Sequence, residues 1–156
     1  MNKEIKYSSE EKLMLKKLTL LKDKGYIKEI VFQPDNFLLF EGLKKVIYSI
    51  NEKNGKKKLS KKGYLLNPHS YTTDYKIVWN NNAKDKYFQD INNEEINFDI
   101  PFIANLIKNE YISFIEIKGT FDRYNTIRMA KTYIIPIIWE KYKIYIQIII
   151  PKLLNL

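Results

Sequence analysis

The chain has 156 residues, 45% of them hydrophobic, which is enough for one domain with a real core. It has no cysteine, which excludes disulfides and thiolate metal sites and is compatible with a reducing cytoplasm. The apolar runs are far too short to span a bilayer, and the first six residues, Met-Asn-Lys-Glu-Ile-Lys, have no signal-peptide character, so a cytoplasmic protein without membrane partners is expected. The net charge is +9, but lysine supplies 25 of the 27 basic residues. Abundant Lys, Asn, Ile and Tyr are what an AT-rich genome would encode, so the distribution of charge says more than its total. Residues 1–62 carry 16 basic and 8 acidic groups, residues 63–115 carry 4 and 7, and residues 116–156 carry 7 and 3. A basic body with an acidic middle suits a polyanion held near a carboxylate site. There are no internal repeats and no linker, so residues 1–156 are expected to form a single domain.

Ser8-Ser9-Glu10-Glu11 opens a helix that runs to about Lys24 and stops at Gly25. Leu15, Leu18 and Leu21 or Lys22 follow Glu11 at helical spacing, which puts Glu11 on the apolar face. Glu11 has two readings: the far member of a capping box on Ser8, or a carboxylate belonging to a functional site. Ile27 to Phe40 reads as two β segments around the turn Gln33-Pro34-Asp35-Asn36, and Leu43 to Ile50 as a further strand. Asn54-Gly55 is a strong hairpin turn. The basic cluster after it comprises Lys56, Lys57, Lys58, Lys61 and Lys62. A solvated hairpin tip is the ordinary reading of such a run. Contact with a nucleic-acid backbone is the alternative, and it would be independent of base sequence.

Ser70 to Trp79 is a β-prone segment with Asp74 set in it. His69, the single histidine, faces away from Asp74 by strand parity. It reads as structural or as a hydrogen-bond donor near the site, with no metal role. Residues 80–110 are polar, asparagine-rich and acidic, and read as an insertion with a short helix near Phe102 to Lys108 after Pro101. The insertion would serve as a substrate-selecting element or a dimer contact. Its acids Asp85, Asp90, Glu94, Glu95 and Asp99 read as solvated. Phe114-Ile115-Glu116-Ile117-Lys118-Gly119 is an apolar strand carrying Glu116 and Lys118 on one face. Those two side chains are costly to bury without a partner or a role. A helix follows to about Tyr142, kinked or split by Pro136, and then a final strand Ile144 to Ile150. The chain's two arginines, Arg123 and Arg128, lie in this region, with Lys131 one helical step beyond. They suit a bidentate phosphate contact, or a surface salt bridge to Asp122 or Glu140.

An aspartate on one β segment, followed by Glu-x-Lys on a later strand, resembles the PD-(D/E)XK nuclease superfamily. Thr73-Asp74 stands where that superfamily has Pro-Asp, and Glu116-Ile117-Lys118 stands for its second half. Tyr71 to Tyr75 together with Ile115 to Gly119 is similar to small phage-encoded endonucleases and Holliday junction resolvase-like enzymes. The Gln33-Pro34 pair and a glutamate before Gly25-Tyr26-Ile27 share that similarity. The resemblance implies an α/β (α+β) fold with a mixed central sheet flanked by helices, the restriction-endonuclease-like core. It further implies a hydrolase that cuts DNA phosphodiesters with Mg²⁺ or Mn²⁺ and acts on branched DNA, with a homodimer among the assemblies it allows. Asp74, Glu116 and the Ile117 carbonyl would hold the metal, and Asp74, Glu116, Lys118 and Glu11 would be catalytic. Lys56, Lys57, Lys58, Lys61, Lys62, Arg123, Arg128 and Lys131 would contact DNA. Two other classes compete: a non-catalytic DNA-binding protein on a decayed nuclease fold, and a structural or assembly protein. No glycine-rich phosphate loop exists among the five glycines, so nucleotide hydrolysis is not expected.

Overall fold

The structure is a computed structural model that describes residues 7–34, 36–50, 57–120, 124–154 and 156, without the side chains of 46–50, 57–62, 124 and 125. In chain order its helices and strands are α1 (Ser9–Asp23), β1 (Ile27–Phe32), β2 (Phe37–Phe40), β3 (Leu43–Ile50), β4 (Lys57–Leu66), β5 (His69–Tyr71), β6 (Tyr75–Trp79), β7 (Phe88–Asp90), β8 (Phe102–Ile107), β9 (Glu110–Ile117), α2 (Tyr124–Met129), a π-helical turn (Ala130–Ile134), α3 (Ile135–Tyr142) and β10 (Ile146–Ile149). The chain divides into two compact units. One comprises residues 1–35 and 72–156, the other residues 36–71.

The larger unit is built on a mixed six-stranded sheet in the order β1-β6-β9-β8-β7, with β10 also paired to β9. The β1–β6, β6–β9 and β8–β9 pairs are antiparallel, and β10–β9 and β7–β8 are parallel. This is the α+β architecture expected from the sequence. The parallel β10–β9 pair needs a long crossover, and the helical segment between the two strands supplies it. Residues Tyr75, Ile77, Trp79, Ile115, Ile117 and Ile149 on one face of the sheet form the main core with Met14, Leu18 and Leu21 of α1. Val78, Ile112, Phe114 and Ile146, of opposite strand parity, are buried outside that core, as are Ala130 and Ile138 of the helical segment.

α1 begins and ends on local signals. Ser8 Oγ accepts the Glu11 N–H and Glu11 Oε2 accepts the Ser8 N–H, completing the capping box. At the other end the Tyr26 N–H bonds to Leu21 O and the Gly25 N–H to Lys22 O, with Gly25 at φ +75, a Schellman stop. Pro136, near the start of α3, is preceded by the π-helical turn, whose last bond runs from Ile135 N to Ala130 O. The expected kink is therefore a local change of helical register, which accommodates a residue with no N–H to donate.

Among its described residues the regular structure of the smaller unit is all β. β2 pairs with β5, and β3 pairs with β4 as an antiparallel hairpin. The Asn54-Gly55 turn lies outside the described residues.

Two expectations are corrected, the helix near Phe102 and the single strand over 70–79. Phe102 to Lys108 is not helical: Phe102–Ile107 is strand β8. Buried Asn105 explains why, since its amide donates to Ile112 O and Tyr145 O and accepts the Tyr145 N–H at 2.7 Å, joining β8 to β9 and to the start of β10. Segment 80–110, between the two motif halves, contributes β7 and β8 to the central sheet. The β segment 70–79 is two strands in different units, broken at Thr72–Asp74. The two β segments expected between Ile27 and Phe40 are β1 and β2, which pair with β6 and β5 respectively.

Candidate active site

Asp74 and Glu116 meet because of sheet register. β6 and β9 pair Tyr75 with Ile115 and Lys76 with Phe114. Continued by one residue, that register sets Asp74 opposite Glu116 at the end of the pair. The strand neighbour on the other side holds Asp74 too, since the Gln33 N–H donates to Asp74 O at 2.9 Å. Asp74 Oδ2 accepts the Ile117 N–H at 2.6 Å. On an extended strand a residue's N–H and C=O point to the same side, so the Ile117 carbonyl also faces the Asp74 edge. Lys118 Nζ donates to Glu116 Oε1 at 2.7 Å, as their shared strand face predicts. Both side chains are largely buried, 15% and 11% exposed, so this ion pair is shielded from solvent in a way that surface pairs are not.

A cavity of about 460 Å³ opens over these groups, lined by Ser8, Glu10, Glu11, Asp74, Glu116, Ile117, Lys118 and Gly119. Helix α1 reaches it through Tyr75, whose hydroxyl donates to Glu11 O at 2.9 Å. Burial pushes the Tyr75 phenol well above its ordinary pKa, so it remains a proton donor. Glu11 thus has both of the positions that the sequence offered. Its carboxylate closes the capping box at 2.5 Å from Ser8 N, and its side chain lines the cavity beside Asp74.

Burial is the main cause that raises Asp74 from 3.8 to about 6, and the Glu116 charge adds to it. The Ile117 N–H opposes that rise, Glu11 raises the value further, and Lys118 lowers it. Asp74 is therefore acted on by two neighbouring carboxylates and by the Lys118 ammonium.

Two buried oxygens in and next to this site have no hydrogen-bond partner among the described residues, Glu116 Oε2 and Thr73 Oγ1. Buried polar atoms seldom stay unpaired, and an orphaned carboxylate oxygen beside a second carboxylate suits a hard cation. Asp74, Glu116 and the Ile117 carbonyl form a partial oxygen set of the kind Mg²⁺ accepts, since that ion completes its shell with water and phosphate. Among the described residues no three Asp, Glu, His or Cys side chains form a metal-ligand group.

The remaining candidates are dispersed. Lys57, Lys58, Lys61 and Lys62 lie on β4, in the smaller unit. Lys56 and Arg123 lie outside the described residues. Arg128 and Lys131 are exposed on the helical segment. His69 is exposed on β5, in the smaller unit. The sequence did not single out Ser8, Glu10 or Gly119 as parts of the site. Ser8 and Glu10 were nonetheless accessible as the first turn of the helix that carries Glu11. Among the described residues no helix is long and apolar enough to cross a membrane. Compared with known protein families, curated proteins and solved structures, the chain matches none.

Proposed function

We propose that this chain is a metal-dependent DNA endonuclease that hydrolyses phosphodiester bonds, with Asp74, Glu116 and Lys118 at its centre. The observation that carries the reading is the apposition of Asp74 and Glu116 at the end of the β6–β9 pair, with Lys118 bonded to Glu116. Random placement of an acid and a Glu-x-Lys along a chain would not bring the three to one cavity. Asp74, Glu116 and the Ile117 carbonyl would hold Mg²⁺ or Mn²⁺, which when bound supplies an acidified water and charge neutralisation on the phosphate.

The protein's own groups have separate tasks. The Ile117 N–H fixes Asp74 Oδ2, leaving Oδ1 without a donor among the described residues. Lys118 is held by Glu116 Oε1 at the cavity wall, where its ammonium can orient a water or take part in its deprotonation. Glu11 adds negative charge that favours cation binding near Asp74. Arg128, Lys131 and the β4 lysines would contact the DNA backbone, and a compact nuclease of this kind suits branched DNA such as junctions and flaps.

The test is incubation of the purified protein with linear duplex, single-stranded, flap and four-way DNA, with Mg²⁺ and with EDTA. Cleavage in Mg²⁺ that EDTA abolishes, and that Asp74→Ala and Glu116→Ala each abolish while keeping the circular dichroism spectrum, is the expected result. Salt-sensitive DNA binding with no cleavage of any substrate would remove the enzyme reading.

A further inference from the structure

Ile148 is the register partner of Glu116 across the parallel β10–β9 pair, and it also lines a second cavity. Paired strands lie about 4.8 Å apart, so one wall residue of this cavity is the strand neighbour of Glu116, although the two cavities share no lining residue. Its volume is about 470 Å³, within the range of small-molecule sites. Its walls are mostly apolar, including Ile96, Ile100, Ile103, Ile135 and Ile148, and no acid lines it.

Few polar groups in the lining remain available to a ligand. The Gln89 amide is used at both ends by the Asn97 backbone, at 2.6 and 2.8 Å. The Gln147 amide accepts the Ile103 N–H and donates to Pro101 O, both at 3.0 Å. That leaves the Tyr145 hydroxyl and the Lys131 ammonium, neither of which has a hydrogen-bond partner among the described residues.

Phe98 at the rim is 91% exposed, the most exposed large hydrophobic side chain among the described residues. The turn that presents it is fixed. Asn97 is held by Gln89 through both its N–H and its carbonyl, and the Asp99 N–H donates to Asn97 Oδ1 at 2.9 Å. An aromatic ring pinned out into solvent beside an apolar cleft with one cation is a stacking platform with a phosphate contact.

We propose that this cleft receives an unpaired base of the substrate strand, stacked on Phe98, with Lys131 on its phosphate. The substrate class is then DNA with an unpaired nucleotide next to the scissile bond. The proposal rests on the nuclease reading for its substrate, and deepens it. Charge at the lining favours a nucleotide over an apolar protein side chain: Lys131 lines the cleft, exposed Arg128 lies three residues before it, and the exposed acids of the Phe98 turn, Glu94, Glu95 and Asp99, are outside the lining.

The experiment uses the full chain and three labelled duplexes: fully paired, with one central unpaired thymidine, and with an abasic residue at that position. Binding is measured by fluorescence anisotropy in EDTA, and cleavage is measured separately in Mg²⁺. The wild type should prefer the unpaired thymidine by about tenfold over both other duplexes, and Phe98→Ala should remove the preference. Lys131→Gln should weaken binding of all three duplexes and reduce the salt slope by about 0.7–0.9. Phe98 and Lys131 are exposed, so both variants should keep the fold. Equal affinity for the three duplexes, or a preference kept by Phe98→Ala, overturns the cleft assignment even where Mg²⁺-dependent cleavage is seen. A preference without cleavage of any duplex supports the cleft and removes the nuclease reading instead. A mass doubling in light scattering that Phe98→Ala abolishes, with DNA binding unchanged, would assign the cleft to a second copy of the chain and overturn the proposal.

Discussion

Asp74 is a carboxyl that the fold makes reluctant to ionise. Its pKa of 3.8 in an open chain becomes about 6 here, through burial first and the Glu116 charge second. Below about pH 4 the group is protonated both folded and unfolded and costs nothing. Between about 4 and 6 the unfolded chain loses a proton that the folded chain keeps, so stability falls as pH rises, and the penalty is complete above about 6. Asp74→Asn can still accept the Ile117 N–H through its amide oxygen. It should therefore melt higher than wild type at pH 8 and at the same temperature at pH 3.5; an unchanged difference across that range would mean the carboxylate is not destabilised. Glu11 poses a related question. Glu11→Gln keeps an acceptor for the Ser8 N–H, so its stability should change by less than about 1 kcal/mol. It removes a negative charge next to Asp74, so DNA cleavage should drop, and near-normal cleavage would leave Glu11 with capping alone. Both positions of Glu11 were legible in the sequence, the cap from Ser8-x-x-Glu11 and the cavity wall from its place among the leucines. Thr73 was legible only as a substitute for proline. That its hydroxyl would be buried without a described partner depends on packing, which no local pattern encodes.

At the scale of elements, two glycines with the same backbone handedness have different surroundings. Gly25 ends α1 at φ +75, and a Cβ there would meet nothing within 4 Å. Gly42 lies between β2 and β3 at φ +85, where a Cβ would come within 2.8 Å of Pro68 N and 2.9 Å of Leu66 O. Gly25→Ala should therefore cost only the left-handed penalty of about 1–2 kcal/mol. Gly42→Ala adds a backbone clash to the same penalty and should cost clearly more. Urea denaturation of the two variants, followed by hydrogen exchange to locate the opened strands, checks the ranking; equal costs would contradict it. Gly25 as a helix stop was readable because capping is local. The Glu116 strand and the parallel strand after Pro136 were readable for a similar reason, since each is a short apolar run bounded by turn residues. β8 was misread because six mostly apolar residues after a proline satisfy the rules for a helix start and a strand start equally. What decides the matter is the bonding of Asn105 to Ile112 and Tyr145, 7 and 40 residues away. The same distance effect hid the break between β5 and β6, which is set by partner strands remote in sequence.

For the molecule as a whole, the basic charge and the carboxylate site are carried by different units. Residues 36–71 hold eight lysines and two glutamates, a net +6 of the chain's +9, whereas Asp74, Glu116, Lys118 and Glu11 all belong to the other unit. The larger unit is closed without residues 36–71 at the point where they leave it. β1 and β6 are antiparallel neighbours, and the Gln33 N–H bonds to Asp74 O, so the two chain ends are already side by side. Joining them through a short Gly-Ser linker costs little loop entropy, because closing a few residues between adjacent strands is what hairpins do. A chain with residues 36–71 replaced in this way should fold cooperatively and retain the hydrogen bond between Asp74 and Ile117. It should still cut DNA in Mg²⁺ under the nuclease reading, but bind DNA more weakly. On duplex DNA the salt slope should fall by about 0.9 for every phosphate that a deleted lysine had neutralised. Replacing Lys56, Lys57 and Lys58 by Ala in the full chain should reproduce part of that weakening for all base sequences alike. If affinity and salt slope are both unchanged by the deletion, the lysine-rich hairpin is a solvated tip and DNA must be held by the unit that carries Arg128 and Lys131. If instead the deletion chain fails to fold, the β2–β5 strands are part of the larger unit's stability and the two units are not independent.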